Sequence, residues 1–400
     1  MSYGNFEYEQ KTKIVFGKGA TGEVGTLAGR YGAKKVLVTT GGNSAKMSGL
    51  LDKVISSLRH EGIDFHVYSG CSPNPRKNWV DKGAEVYLDE KCDFLLAVGG
   101  GSVIDASKAI AMLASNPREN GIWHYVSGNG KFEKEGKPLG VVLTVGATGS
   151  ESNGSFVISN EETMEKLICT HESANPVFSI CDPENTYSLD KWQTACSISD
   201  IISHVLEQYL HSDSTVDVSD NMSIGIIKAV MKWGPVALNE PENYDARANL
   251  MWASSIAMNG ILGAGHEQNW ITHMLEHAVS AVFDVSHGAG LACLTPYYLE
   301  YLKPMDAPGR IEKLGRVLFG IQDDADKTIA EFQNFFHSIG MPTRLGELIK
   351  DGNDSGIGYG TKEEIIDILA EKSFPWGAMA AGGYGEFGVE DAKDVFLKAW

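Results

Sequence analysis

The sequence predicts an N-terminal α/β domain built on a parallel sheet, followed by an all-α C-terminal domain. Up to Asp182-Pro183, short β-branched runs alternate with helical stretches. Those runs are continuously apolar, the pattern of strands covered on both faces, and strand, turn and helix in alternation imply parallel pairing. From about Lys191 onward the pattern is almost entirely helical. A chain of 400 residues is long for one domain, and the change of character near residue 183 divides it into 1–183 and 184–400.

Lys35–Thr40 (KVLVTT) reads as a buried strand, followed by a glycine turn and a helix over Leu50–His60. Ile63–Tyr68 is a second strand, Val80–Glu90 a helix, and Phe94–Val98 (FLLAV) another apolar strand. The Gly99–Ser102 turn then opens a helix over Val103–Ala114, and Gly140–Thr144 (GVVLT) is a further strand. In the second half, helices are expected over Thr194–Tyr209, Ser219–Trp233, Ala246–Leu262 and Gln268–Ala281. The breaks between them carry the Gly, Pro and Asp that end helices.

Composition excludes several classes. Hydrophobic residues make up 43% of the chain, too many for a disordered or fibrous protein. A formal net charge of −18 repels nucleic-acid phosphates and anionic lipid, so neither nucleic acid nor membrane is an expected partner. No uninterrupted apolar stretch reaches the roughly 20 residues needed to cross a bilayer, and the N-terminus has no apolar targeting core. The six cysteines form no CxxC pair, which points to a soluble protein of the reducing cytoplasm.

Three strands run into small-residue turns: Gly41-Gly42-Asn43-Ser44, Gly99-Gly100-Gly101-Ser102 and Gly146-Ala147-Thr148-Gly149-Ser150. Without a Cβ, glycine lets backbone N–H groups approach a phosphate, and the following helix adds its positive end. One such turn occurs in many folds, and none here fits GxGxxG or GxxxxGK[ST]. Three on one sheet point to a dinucleotide lying beyond the carboxyl ends of the strands. An acidic residue after the first strand would select a free ribose 2′-hydroxyl. Val38-Thr39-Thr40-Gly41-Gly42 offers none and Lys46 lies nearby, which favours NADP(H) over NAD(H).

The helical half gathers five ligand-capable side chains: Asp200, His204, His273, His277 and His287. Asp200 and His204 stand four apart on one predicted helix, and His273 and His277 repeat that spacing on another. Each pair therefore projects from one helix face. His287 follows with Gly288 and Gly290 beside it, near a helix start. A lone helical histidine is more often packed or on the surface than ligating; two such pairs and a further histidine in one domain are a stronger pattern. Nitrogen and oxygen ligands without thiolate suit iron(II) or zinc. Spacing does not decide which of His266, His273, His277 and His287 would bind the ion. Trp270, Met274 and Leu275 fit either core packing or a pocket for a medium-chain aliphatic substrate.

These motifs resemble the iron-containing (group III) alcohol dehydrogenase family, in particular its NADPH-dependent butanol dehydrogenase and aldehyde reductase branch. The resemblance runs from TKIVFGKG (Thr12–Gly19) through GGGSVIDASK (Gly99–Lys108), ATGSESN (Ala147–Asn153), VISNEETMEK (Val157–Lys166) and DPENTYSL (Asp182–Leu189). It is strongest in SDIISHVLEQY (Ser199–Tyr209), NWITHMLEH (Asn269–His277) and HGAGLACLTP (His287–Pro296). It implies a Rossmann-like N-terminal domain and a helical C-terminal domain of the dehydroquinate synthase-like kind, in a homodimer. It assigns the metal to Asp200, His204, His273 and His287, and gives His277 a place beside the substrate and nicotinamide. It sets the dinucleotide against Gly41, Gly42, Ser44, Gly100, Gly101, Ser102, Asp105, Thr144, Thr148, Asn153 and Lys166. Two positions depart from the family pattern: Asp190 stands where a proline is common, and Asn43 where relatives often carry a third glycine.

The expected activity is reversible hydride transfer between NAD(P)H and an aliphatic aldehyde such as butanal, with the metal polarising the carbonyl or alkoxide oxygen. A non-redox sugar-phosphate cyclase would carry Lys and Arg around its metal helices for an anionic substrate; ISDIISHVLEQ and NWITHMLEH carry none. A non-catalytic nucleotide- or metal-binding protein has no evident use for a complete set of four ligands.

Overall fold

The apolar runs of the first half assemble into a parallel sheet with helices on both faces. In the computed structural model, which describes residues 4–213, 215–351 and 360–400, the strands are β1 (Lys13–Phe16), β2 (Lys35–Thr40), β3 (Asp64–Tyr68), β4 (Phe94–Gly99), β5 (Leu139–Leu143), β6 (Ser155–Asn160), β7 (Glu165–Thr170) and β8 (Phe178–Cys181). Six of them form an all-parallel sheet in the order β1-β8-β5-β4-β2-β3, while β6 and β7 pair as an antiparallel hairpin. Helices α1 (Val24–Arg30), α2 (Ser44–Met47), α3 (Leu50–His60), α4 (Lys77–Asp89), α5 (Gly101–Ser115) and α6 (Trp123–Val126) complete this half.

The central strands are apolar throughout because successive side chains enter two different cores. Val36 and Val38 of β2, with Phe94, Leu96 and Val98 of β4, pack against Val24 and Leu27 of α1 and Val54 and Leu58 of α3. Leu37, Leu95 and Ala97 point the other way, to Val80 and Ala84 of α4 and Ile104 and Ile110 of α5.

The second half holds α7 (Lys191–Tyr209), α8 (Asp217–Asn239), α9 (Tyr244–Ala257), α10 (Ile271–Phe283), α11 (His287–Leu302), α12 (Arg310–Leu314), α13 (Ala325–Ser338), α14 (Leu345–Asp351), α15 (Lys362–Ser373) and α16 (Val389–Ala399). Two compact units result. The sheet unit comprises Glu9–Leu189 and the returning segment Glu240–Asn259, which contains α9. The helical unit comprises Asp190–Asn239, Gly260–Trp400 and the segment ending at Tyr8. Among the described residues, no helix is long and apolar enough to cross a membrane.

Two of the helix boundaries that differ from expectation have a visible cause. The helix expected to reach Leu262 stops at Ala257, where Met258 leaves helical geometry, and Gly260 then adopts φ +89°. The helix expected from Gln268 starts at Ile271, because Asn269 is taken up in a β-bridge with Ala381.

Candidate metal and nucleotide sites

The register of the sheet places the three glycine turns side by side. Thr40 of β2 lies opposite Val98 of β4, and Gly99 lies opposite Leu143 of β5, so all three turns leave adjacent carboxyl ends. The order also reverses here: β2 is flanked by β3 on one side and β4 on the other, a topological switch point. Gly42 is exposed and a Cβ there would meet nothing within 4 Å, so the fold itself does not demand glycine. Gly149 is different. It takes φ +60°, and a Cβ would lie 2.4 Å from Met258 Cβ.

Beneath the turns the predicted nucleotide residues are tied into a buried polar network. Asp105 accepts from the Ser150 hydroxyl (2.5 Å) and from the Val157 N–H (3.0 Å). Asn153 donates to the carbonyls of Gly149 and Met258. Lys108, wholly buried on α5, donates to Ser150 Oγ (2.8 Å) and the Ser155 carbonyl (2.7 Å). Thr144 donates its N–H to Gly99, Thr148 accepts from the Ser150 N–H, and Lys166 lies buried on β7. Gly100 and Gly101 lead into α5, with Ser102 in its first turn, and Ser44 opens α2.

In the helical unit, α7, α10 and α11 bring the predicted metal ligands to one point. Asp200 Oδ1 lies 3.2 Å from His204 Nδ1, 3.8 Å from His273 Nε2 and 3.7 Å from His287 Nε2. Asp200, His204 and His273 are buried. Asp200 Oδ1, His204 Nδ1 and His273 Nε2 close no hydrogen bond. Buried polar atoms are almost always paired, so three of them converging without partners fit a shared cation. Their nitrogen and oxygen chemistry suits a divalent ion. His277 is buried beside them, its ring 6.4 Å from that of His273 and 5.6 Å from that of His287. Glu276, His277 and His287 also bring one potential ligand atom each within 4.8 Å of one another. His266 stands apart, stacked on His211 at 3.9 Å. Leu275 is core, whereas Trp270 sets its edge against the rings of His204 and His273.

The electrostatics follow from burial among opposed charges. Burial works to lift the Asp200 carboxyl, but the imidazoles of His204, His273 and His287 outweigh it and hold it at about 2. Burial lowers His204 to about 4 despite Asp200. Burial would lower His273 as well, but the carboxylates of Glu207 and Asp200 raise it to about 10.

Comparison with known families decides what this arrangement belongs to. The iron-containing alcohol dehydrogenase family model matches residues 11–183, and the model of the family's C-terminal part matches residues 194–400. The chain belongs to the iron-containing alcohol dehydrogenase family. It is 37% identical over 402 aligned residues to NADH-dependent butanol dehydrogenase B of Clostridium acetobutylicum, with 99% of each chain covered. It is 38% identical to the NADPH-dependent aldehyde reductase YqhD of Escherichia coli, covering 87% of this chain and 90% of that one. The crystal structure of NADH-dependent butanol dehydrogenase A of Thermotoga maritima superposes with a TM-score of 0.91 at 35% identity, covering 100% of this chain and 99% of that one. The fold is therefore that of an iron-containing alcohol dehydrogenase, and the activity is that of an NAD(P)H-linked, metal-dependent alcohol dehydrogenase or aldehyde reductase.

Two site residues of this family member escape sequence reasoning. Glu207 on α7 and Glu276 on α10 are buried, and each pairs with an imidazole Nδ1, Glu207 with His273 and Glu276 with His287. Each stands three residues after a histidine of its own motif, His204 or His273, but the imidazole it meets is brought to it by packing. Lys108 escapes likewise, although it ends the GGGSVIDASK motif.

Proposed function

We propose that this enzyme reduces aliphatic aldehydes such as butanal with NADPH, reversibly, at iron(II) or zinc held by Asp200, His204, His273 and His287. The observation that carries the reading is the convergence of three imidazoles on Asp200 Oδ1 at 3.2 to 3.8 Å. A bound divalent cation supplies Lewis acidity that favours hydride addition to a carbonyl carbon and ionisation of the alcohol in reverse. The protein's own part is to hold and orient. The three adjacent turns, with Gly41, Gly42, Ser44, Gly100, Gly101 and Ser102, offer backbone N–H groups to the dinucleotide phosphates. Asp105, Thr144, Thr148, Asn153 and Lys166 shape the floor and flank of that cradle. His277 is the proton relay between substrate oxygen and solvent, since an imidazole titrates near working pH. The preference for NADPH rests on the end of β2, where Thr39-Thr40-Gly41-Gly42 presents no carboxylate to a ribose 2′-phosphate. The Clostridium relative is named for NADH and the Escherichia coli relative for NADPH, so the two cofactors must be compared directly. We also propose a cytoplasmic homodimer, the location resting on six free cysteines.

The test is oxidation of NADPH and of NADH with butanal, by enzyme as purified, stripped with chelator, and reloaded with iron(II) or zinc. Activity should vanish on stripping, return on reloading, and show higher kcat/KM with NADPH. Full activity without metal sinks the metal site, and a kcat/KM favouring NADH sinks the cofactor preference alone.

A further inference from the structure

We infer that Glu207 and Glu276 are positioning residues that fix the tautomer of His273 and His287, so that both rings turn an unprotonated Nε2 toward Asp200. The inference rests on the proposed metal site and adds two carboxylates to its supporting structure.

With a cation in the site each ligating imidazole is neutral and carries its one proton on one nitrogen, and the group facing that nitrogen decides which. In both rings Nδ1 faces a carboxylate: Oε2 of Glu207 for His273 and Oε2 of Glu276 for His287. A carboxylate only accepts, so the proton resides on Nδ1 and the Nε2 lone pair is left for a ligand. Those Nε2 atoms lie 3.8 and 3.7 Å from Asp200 Oδ1. The two arrangements arise independently, from carboxylates on different helices.

Each carboxylate is itself held. Glu207 sits two helical turns after Asp200, and its Oε1 accepts the backbone N–H of His273 (3.2 Å). Its carbonyl accepts the Asn269 N–H (3.0 Å), so one residue orients both the start of α10 and the ligand ring. The other oxygen of Glu276 accepts the Ser280 hydroxyl. Gly290 leaves the space for Glu276: a Cβ there would lie 2.8 Å from its Cγ. Outer carboxylates of this kind typically change metal affinity by on the order of 10- to 100-fold.

The experiment measures cobalt(II) affinity of the stripped protein by chelator competition, read from the visible spectrum of the bound ion. Glu207→Ala and Glu276→Ala should each weaken binding about 10- to 100-fold, and Glu276→Gln, which keeps an acceptor oxygen, should recover most of the loss. Alanine variants within twofold of the parent overturn the inference. Asp200→Asn separates the two readings: if it loses cobalt(II) while the alanine variants do not, only the positioning role fails. If Asp200→Asn binds like the parent, the metal site itself fails. Should an alanine variant not fold, ¹⁵N spectra of the histidine-labelled, zinc-loaded parent serve instead. His273 and His287 should carry protons on Nδ1, and protons on Nε2 overturn the inference.

Discussion

His273 and His277 stand one turn apart on α10, yet their surroundings assign them different work. His273 is clamped between Glu207 and Asp200, whereas His277 lies farther along, beside the ring of His287. Replacing His277 with Ala should therefore leave metal content near normal while altering the pH dependence of kcat/KM; loss of the metal would move His277 into the ligand set. Gly290 makes the sharper steric case. In Gly290→Ala the new methyl would meet Glu276 inside a packed core, a strain worth about 1–3 kcal/mol, visible as a lower urea midpoint. An unchanged midpoint would mean that α11 shifts freely. At this scale Asp200, His204, His273 and His277 were legible as ligand-capable pairs because i,i+4 spacing is local information, whereas His287 stands outside any such pair. Glu207 and Glu276 were not legible, because each meets a histidine on another helix or beyond a turn, and no local spacing reports that.

The same division governs the elements. β2, β4 and β5 were legible since central parallel strands must be apolar on both faces. β1 and β8 are four residues each, too short to show a period. The β6–β7 hairpin mixes polar and apolar residues, and its turn uses Met164 at φ +50°, with no glycine to announce it. α7 begins at Lys191, three residues before the expected Thr194, because Asp190 caps it. The Asp190 side chain accepts the Gln193 N–H at 2.7 Å, satisfying one of the free donors of the first turn. Asp190→Ala should cost about 1 kcal/mol of stability, measured by thermal or urea unfolding; no loss would mean that packing alone starts the helix.

Over the whole molecule, a net charge of −18 makes the few buried cations consequential. Arg310 on α12 donates to Asp220 on α8 at 2.8 Å, with His211 3.3 Å from the same oxygen. Burial would raise the Asp220 carboxyl, but the His211 imidazole and the Arg310 guanidinium beside it prevail and lower it. A lowered carboxyl stabilises the fold above its unfolded value near 3.9, and that stability drains away as pH falls through the folded value. Asp220→Asn, which removes the negative charge facing the buried Arg310, should cost about 3 kcal/mol near neutrality. The gap between variant and parent should close below about pH 4; a gap that persists at pH 2 would assign the effect to packing. Metal removal should likewise lower Tm, since an ion bound only by the folded state at about a thousand times its Kd contributes about 4 kcal/mol. A Tm indifferent to chelator would contradict the buried site.

The returning segment Glu240–Asn259 bears on how the chain is made. Met251 Cα would lie 2.7 Å from a Cβ at Gly146, and the Ser255 hydroxyl donates to Glu151, buried in the sheet unit. A ribosome delivers all of β1–β8, then α7 and α8, before α9 emerges. Until then the nascent sheet lacks a helix that covers its third glycine turn, and Glu151 lacks its hydroxyl donor. Order of synthesis and order of completion therefore differ: the first unit to begin folding must wait for part of the second to be translated.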